Sequence, residues 1–271
     1  MDMTLIRVFS HSLQLIRRQK LLSLAAFTLA AVIIATALAA EFGGRQPATV
    51  ALDVGLSTLR LVLPLFMVFQ VQELFSREFD RKFYQLSLTY PIARTSWLLG
   101  RFFALLGVSI ILLLLIAVVL AIQVFVIGQG YDQPTPVGLG APYWTTVAFL
   151  GLDLLVLLCL ACFLAVIAVT PSFVLIGTLG FMLIARSYSA VLALLTSGAK
   201  VVENPEAYRA NLGLLGYLLP DLGALDVRMT TLYGKMAFLP GDWPLLFAIA
   251  LLYALGFLGL SLWLFNRKQF S

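Results

Sequence analysis

Histidine, cysteine and charge are all scarce in this chain. One histidine and two cysteines stand among 271 residues, and Asp, Glu, Lys and Arg together make up 11%. A lone histidine, His11, cannot build the imidazole clusters that metal and general acid–base sites use. Cys159 and Cys162 have CxxC spacing, but they lie inside the apolar run LLVLLCLACFLAVIAV with no second pair. That setting suits small packing residues better than a redox or metal site, and no disulfide framework is expected. No GxxxxGK[ST] run occurs. Lys235 follows a glycine, but the earlier glycine and the following Ser or Thr are missing, so the chain is not expected to bind ATP itself. HExxH, an aspartate-rich metal loop and Gly-x-Ser-x-Gly are missing too, which removes most hydrolytic and metal chemistry. The expectation is a chain that is not an enzyme and holds no metal or cofactor of its own.

What the sequence has in abundance is apolar length. Hydrophobic residues reach 61% and mean hydropathy is +1.00, more than a water-soluble domain can bury. Six runs are long enough to cross a bilayer: Leu21 to Ala40, Asp53 to Val71, Trp97 to Gly128, Tyr143 to Val169, Phe173 to about Leu195, and Trp243 to Phe265. The third is too long for one perpendicular span, so its first turns are expected outside the apolar layer. The net charge of +5 does not imply nucleic acid. With both termini cytoplasmic, 11 of the 18 Lys and Arg residues fall in cytoplasmic segments and 5 in external ones, as the positive-inside rule expects. The reading is one all-α transmembrane domain over residues 1–271, with no signal peptide at its start.

Three polar stretches punctuate the spans. Residues 1–20 read as an interfacial amphipathic helix, with Leu5, Phe9, Leu13 and Ile16 on one face and Arg7, His11, Gln14 and Arg18 on the other. Residues 72–96 form a charged cytoplasmic connector between spans two and three. It opens with helix-forming residues of mixed sign and ends at the helix-stopping Tyr90-Pro91. Phe75, Phe79 and Phe83, each four apart, give its helix one aromatic face. Residues 196–242 form an external amphipathic region between spans five and six. It contains a helix start at Asn204-Pro205-Glu206 and a break at Pro220-Asp221, with a second amphipathic piece to about Phe238.

Arg60, Asp153 and Arg186 are the ionisable residues inside the spans. Counting along helices from the external ends, they lie about 10, 15 and 13 Å deep. Two cations and an anion at similar depth are expected to pair, either as a structural bridge or as a polar cluster on a substrate route.

The order of these parts resembles the ABC-2-type permeases, the membrane subunits of type V ATP-binding-cassette exporters. The resemblance covers almost the whole chain. Its most specific stretch is LSLTYPIARTSWLLGRFFALL (86–106), which looks like the family's proline–arginine–glycine pattern after an acidic helix. YLLPDL (217–222) is similar to a run found before the last span, with Asp221 where Asn is common. The resemblance implies a half-transporter. Two permease copies, identical or related, would work with two separately encoded ATPase subunits that hold ATP and Mg. The coupling helix, about Glu73 to Gln85, would dock on the ATPase through Glu73, Phe75, Arg77, Glu78, Phe79, Arg81, Lys82 and Phe83. Pro91, Arg94 and Gly100 would set the bend that carries its movement into span three. A bacterial cytoplasmic (inner) membrane, surrounding lipids, an accessory extracytoplasmic protein and no nucleic acid complete the expected setting. Two rivals stay open: a self-contained secondary transporter, for which no internal repeat is visible, and an integral membrane lipid-modifying enzyme.

Overall fold

The computed structural model describes residues 3–18, 21–76, 93–130, 136–168, 170–196 and 219–267. Within them every regular element is a helix: α1 (Met3–Arg18), α2 (Leu21–Phe42), α3 (Pro47–Val71), α4 (Arg94–Gly128), α5 (Ala141–Ile167), α6 (Pro171–Thr196), the short α7 (Arg228–Leu232) and α8 (Trp243–Arg267). Six of these, α2 to α6 and α8, are long and apolar enough to cross a membrane, which fits a multi-pass membrane protein. At about 1.5 Å per residue, the 35 residues of α4 make a rod longer than a bilayer's apolar core is thick. The sequence placed the second span from Asp53. The helix instead begins at Pro47, where a proline at the first turn needs no hydrogen-bond partner for its missing N–H.

The bundle is built around α5. Two thirds of its most apolar window is buried, against 17% for α2 and for α8. It packs on α3, α4, α6, α7 and α8. Tyr143 ties it to α4: its hydroxyl donates to the Ala117 carbonyl at 2.5 Å, which satisfies a buried polar group without a charge. Cys159 and Cys162 are free thiols buried in the same helix. The outer helices turn leucine and aromatic side chains outward, among them Phe27, Ile111, Ile176 and Leu252. An apolar exterior of that kind is what a hydrocarbon solvent selects.

The α2–α3 connection is a tight turn in which Gly43 N bonds Ala40 O and Gln46 N bonds Gly43 O, both at 3.0 Å. Gly44 sits there at φ +53, a conformation that favours a residue without Cβ. Beyond Val71, α3 runs on without a break into a π-helical turn, Gln72–Ser76.

Helix α1 lies across the start of α4. Its buried line is Val8, Ser12 and Ile16, while Arg7, His11 and Gln14 are exposed. The polar face is thus where the sequence put it, but the buried line is rotated from the expected Leu5–Phe9–Leu13–Ile16 stripe. Gly100 explains the shift. A Cβ there would come within 2.7 Å of Val8 Cγ1, so only glycine lets the two helices meet at this point. Ser12 is tolerated in the contact because its hydroxyl donates to the Val8 carbonyl of its own helix at 2.7 Å.

Between α6 and α8 the sequence suggested amphipathic helices. Its first piece, from Asn204, lies outside the described residues. The stretch from 219 to 227 is irregular, followed by the five-residue α7 and a single 3-10 turn, Met236–Phe238. Asp221 is the local cause: its Oδ1 accepts from Ala224 N at 3.0 Å, closing a turn rather than opening a helix. Asparagine could make the same bond. Leu222, Leu225 and Val227 are nonetheless buried, so this stretch folds back into the bundle. Gly138 N donates to Thr231 O at 2.8 Å and Thr231 Oγ1 returns a bond to Gly138 O at 3.0 Å, fastening the α4–α5 loop to α7.

Candidate functional site

Arg60, Asp153 and Arg186 converge as their depths implied. Arg186 Nη2 lies 2.5 Å from Asp153 Oδ2, and Arg60 Nε lies 3.5 Å from the same oxygen. Asp153 is 2% exposed. The cluster does not end there. Arg60 Nη1 reaches Asp226 Oδ2 at 2.5 Å, Arg228 Nη2 reaches that oxygen at 3.2 Å, and Arg228 Nη1 reaches Asp53 Oδ1 at 2.9 Å. Arg186, Asp153, Arg60, Asp226, Arg228 and Asp53 therefore alternate in sign along one chain of contacts. Its members come from α3, α5, α6, the start of α7 and the folded-back stretch before it.

Neutral groups finish the pairing. Arg60 Nη2 donates to the Leu222 carbonyl at 2.5 Å, and Arg228 Nη1 donates to Ser57 Oγ. Three arginines and three aspartates cancel, which is how so much charge is accommodated among apolar helices. The pairing is incomplete at its deep end. Among the described residues, Asp153 Oδ1, Arg60 Nε and Arg186 Nε are buried without a hydrogen-bond partner. All three residues line a cavity of about 10 Å³, walled otherwise by leucines and Pro64, room for about one water. The aspartates are held apart by the arginines between them, and among the described residues no His, Cys, Asp or Glu group is placed to hold a metal.

Sequence reasoning missed Asp53, Ser57, Asp226 and Arg228. The sequence puts Asp53 at the edge of a span and the other two charges in the external amphipathic region, with no partner in the spans expected for them. A signal was present: Asp53, Ser57 and Arg60 fall at spacings of four and three, one face of α3. Asp226 and Arg228 are likewise the only charges in the run LGALDVRMTTL.

At the opposite end, the root of the connector is packed rather than solvated. Gln72 Nε2 donates to Pro171 O at 2.7 Å, joining the π-helical turn to the start of α6. Arg101 is 3% exposed and donates to Leu74 O at 2.5 Å. Its guanidinium lies 3.8 Å from the centre of the Trp97 ring and 5.9 Å from that of Phe75. Trp97 stacks in turn on Phe265 of α8 at 5.2 Å. Arg94 opens α4 and donates to Asn266 O at 3.3 Å.

Phe75 was expected on a partner-facing side of the connector. It is fully buried and packs edge-on against Trp97, so that surface role does not fit it; the π-helical turn points its ring into the bundle. Glu73 is half-buried beside it. Gly100 lies within α4 beneath Val8, and Ala93, with ψ 133, is the extended residue before that helix. Arg77, Glu78, Phe79, Arg81, Lys82, Phe83 and Pro91 lie outside the described residues. The chain matches no known protein-family profile, and no curated protein matches it.

Proposed function

We propose that this chain is the membrane-spanning permease subunit of an ATP-binding-cassette transporter of the ABC-2 type. It moves substrate by conformational alternation, driven by ATP hydrolysis on a separate partner ATPase that holds the ATP and Mg. Two permease copies, both termini cytoplasmic, and a bacterial cytoplasmic membrane belong to the same reading. The observation that carries it is the continuity of α3. One helix holds Asp53, Ser57 and Arg60 in the ion chain and runs without a break into Gln72–Phe75 at the connector root. A push on the connector therefore has a continuous helical path, hinged at Pro64, to the side chains that hold residues 219–232, which serve as part of an exit gate. Arg101, Trp97 and Phe265 spread the same push into α4 and α8.

Gentle solubilisation of the tagged chain from its native membrane tests this. An ATPase subunit should come with it, and replacing Glu78 and Phe79 in the connector should release that subunit. A chain that purifies alone with transport intact would sink the reading. A self-contained secondary transporter would take its place, since buried ionisable chains also serve ion-coupled transport.

A further inference from the structure

Arg60 draws two of its polar partners from one short irregular stretch. Asp226 Oδ2 and the Leu222 carbonyl each lie 2.5 Å from a terminal nitrogen of its guanidinium. Its other ion-pair partner among the described residues, Asp153, belongs to a bundle helix and lies farther off, at 3.5 Å. If residues 219–228 move away, Asp226, the Leu222 carbonyl and Arg228 leave together. Arg60 and Arg186 then share Asp153, while the remaining carboxylate, Asp53, stands seven residues from Arg60 at the 47%-exposed end of α3, so the leucine-lined deep end by itself carries one positive charge in excess. A net charge in such surroundings calls for a replacement anion.

The deep end of the chain already presents the polar groups for one, although its cavity of about 10 Å³ opens to a phosphate only when residues 219–228 move. Arg60 Nε and Arg186 Nε are buried donors without a hydrogen-bond partner among the described residues, and Asp153 Oδ1 is a buried acceptor without one. A phosphate monoester carrying one proton matches that set: its oxygens accept from both guanidiniums while its P–OH donates to Asp153. The remaining wall is apolar, with Leu59, Leu63, Leu113, Leu150 and Leu154. A free, fully hydrated anion gains nothing from such a wall; an alkyl chain does.

We propose that Arg60 and Arg186 form the headgroup site for a phosphate-bearing amphiphile, and that Asp226 holds that ligand's place on Arg60 in the present conformation. This deepens the transporter reading and rests on it for the movement of residues 219–228, but the binding is a property of this chain alone.

The test uses the full chain in a neutral maltoside detergent with radiolabelled dodecyl phosphate. Removing the competing carboxylate in Asp226→Asn should tighten binding about tenfold, the worth of one charge-assisted hydrogen bond. The substitution leaves Arg60 its Leu222 and Asp153 contacts and Arg228 its Asp53 contact. Adding Arg60→Gln should return the affinity to the wild-type value or below. Dodecyl phosphocholine and inorganic phosphate should both bind more weakly than dodecyl phosphate. No tightening in Asp226→Asn, or tightening that Arg60→Gln leaves in place, overturns the site. Inorganic phosphate binding as tightly as dodecyl phosphate overturns the amphiphile. Should Asp226→Asn not fold, Arg60→Gln in the wild-type chain should weaken dodecyl phosphate binding about tenfold, and unchanged binding there overturns the site. The two readings fail separately. Arg60-dependent binding without an ATPase partner keeps the site and removes the ATP-driven transporter; a recovered ATPase without binding removes the ligand alone.

Discussion

At the loop end of the bundle, Arg60, Arg186 and Arg228 are held by carboxylates; at the connector end, Arg101 is held by the Leu74 carbonyl and the faces of Trp97 and Phe75. The two solutions behave differently under change. A carboxylate can be exchanged for another anion or moved one partner along, so a charge chain suits a contact that is made and unmade. A ring stack requires a planar cation at a fixed distance, so it suits a joint that stays closed while it moves. The partner types alone suggest a switching end and a rigid end.

The largest expected loss tests the switching end. Asp153→Asn leaves Arg60 and Arg186 together without their shared carboxylate and should cost about 3–5 kcal/mol, read as a lowered unfolding midpoint of the purified chain. A loss under about 1 kcal/mol would mean that the pair is solvated after all. Next comes the rigid end. Arg101→Ala removes a hydrogen bond to a charged donor and a buried ring contact, for about 2–4 kcal/mol. Arg101→Lys should recover less than half of it, because an ammonium cannot stack flat on Trp97. Full recovery by lysine would reduce Arg101 to a point charge and erase the contrast.

Smaller again is Gly100→Ala, which brings a methyl group within 2.7 Å of Val8 and should cost about 1–3 kcal/mol through overpacking. Val8→Ala in the same chain should restore most of that loss, and protease sensitivity of α1 should follow the same order. The smallest effect belongs to Arg228→Gln. That side chain is 36% exposed and its partner Asp53 is 47% exposed, so the pair is worth about 1 kcal/mol or less. A larger effect would place the loop end in a drier setting than its exposure suggests.

Much of the fold could be read in the residues. The six apolar helices stand in the order that run length and turn residues gave, because in a membrane-like chain hydropathy alone nearly decides where helices lie. The convergence of Arg60, Asp153 and Arg186 was legible for a similar reason: charges at matched depths have few other partners. The extension of the cluster was not. Asp226 and Arg228 read as part of an external amphipathic piece because a loop's path back into a bundle leaves no periodic trace in sequence. Phe75 was misread through its spacing with Phe79 and Phe83. A period of four describes an α-helical face, whereas the turn at Gln72–Ser76 is π-helical and Phe75 there is buried against Trp97. Gly100 stands out in the sequence only as part of a coupling bend; the crossing of α1 explains why no side chain stands there.

Pro64 lies one helical turn beyond Arg60 and lines the same cavity. A proline supplies no N–H to the carbonyl four residues before it, and here that carbonyl is Arg60's own. The stiffness of α3 is therefore lowest next to the most heavily paired residue it carries. A twist applied at the connector would be spent first as bending about this point, swinging the connector half of α3 against the half that carries Asp53, Ser57 and Arg60, with Arg60 next to the hinge. The helix would then act less as a piston than as a crank, its elbow set at the one place where a small change of angle redirects a charge.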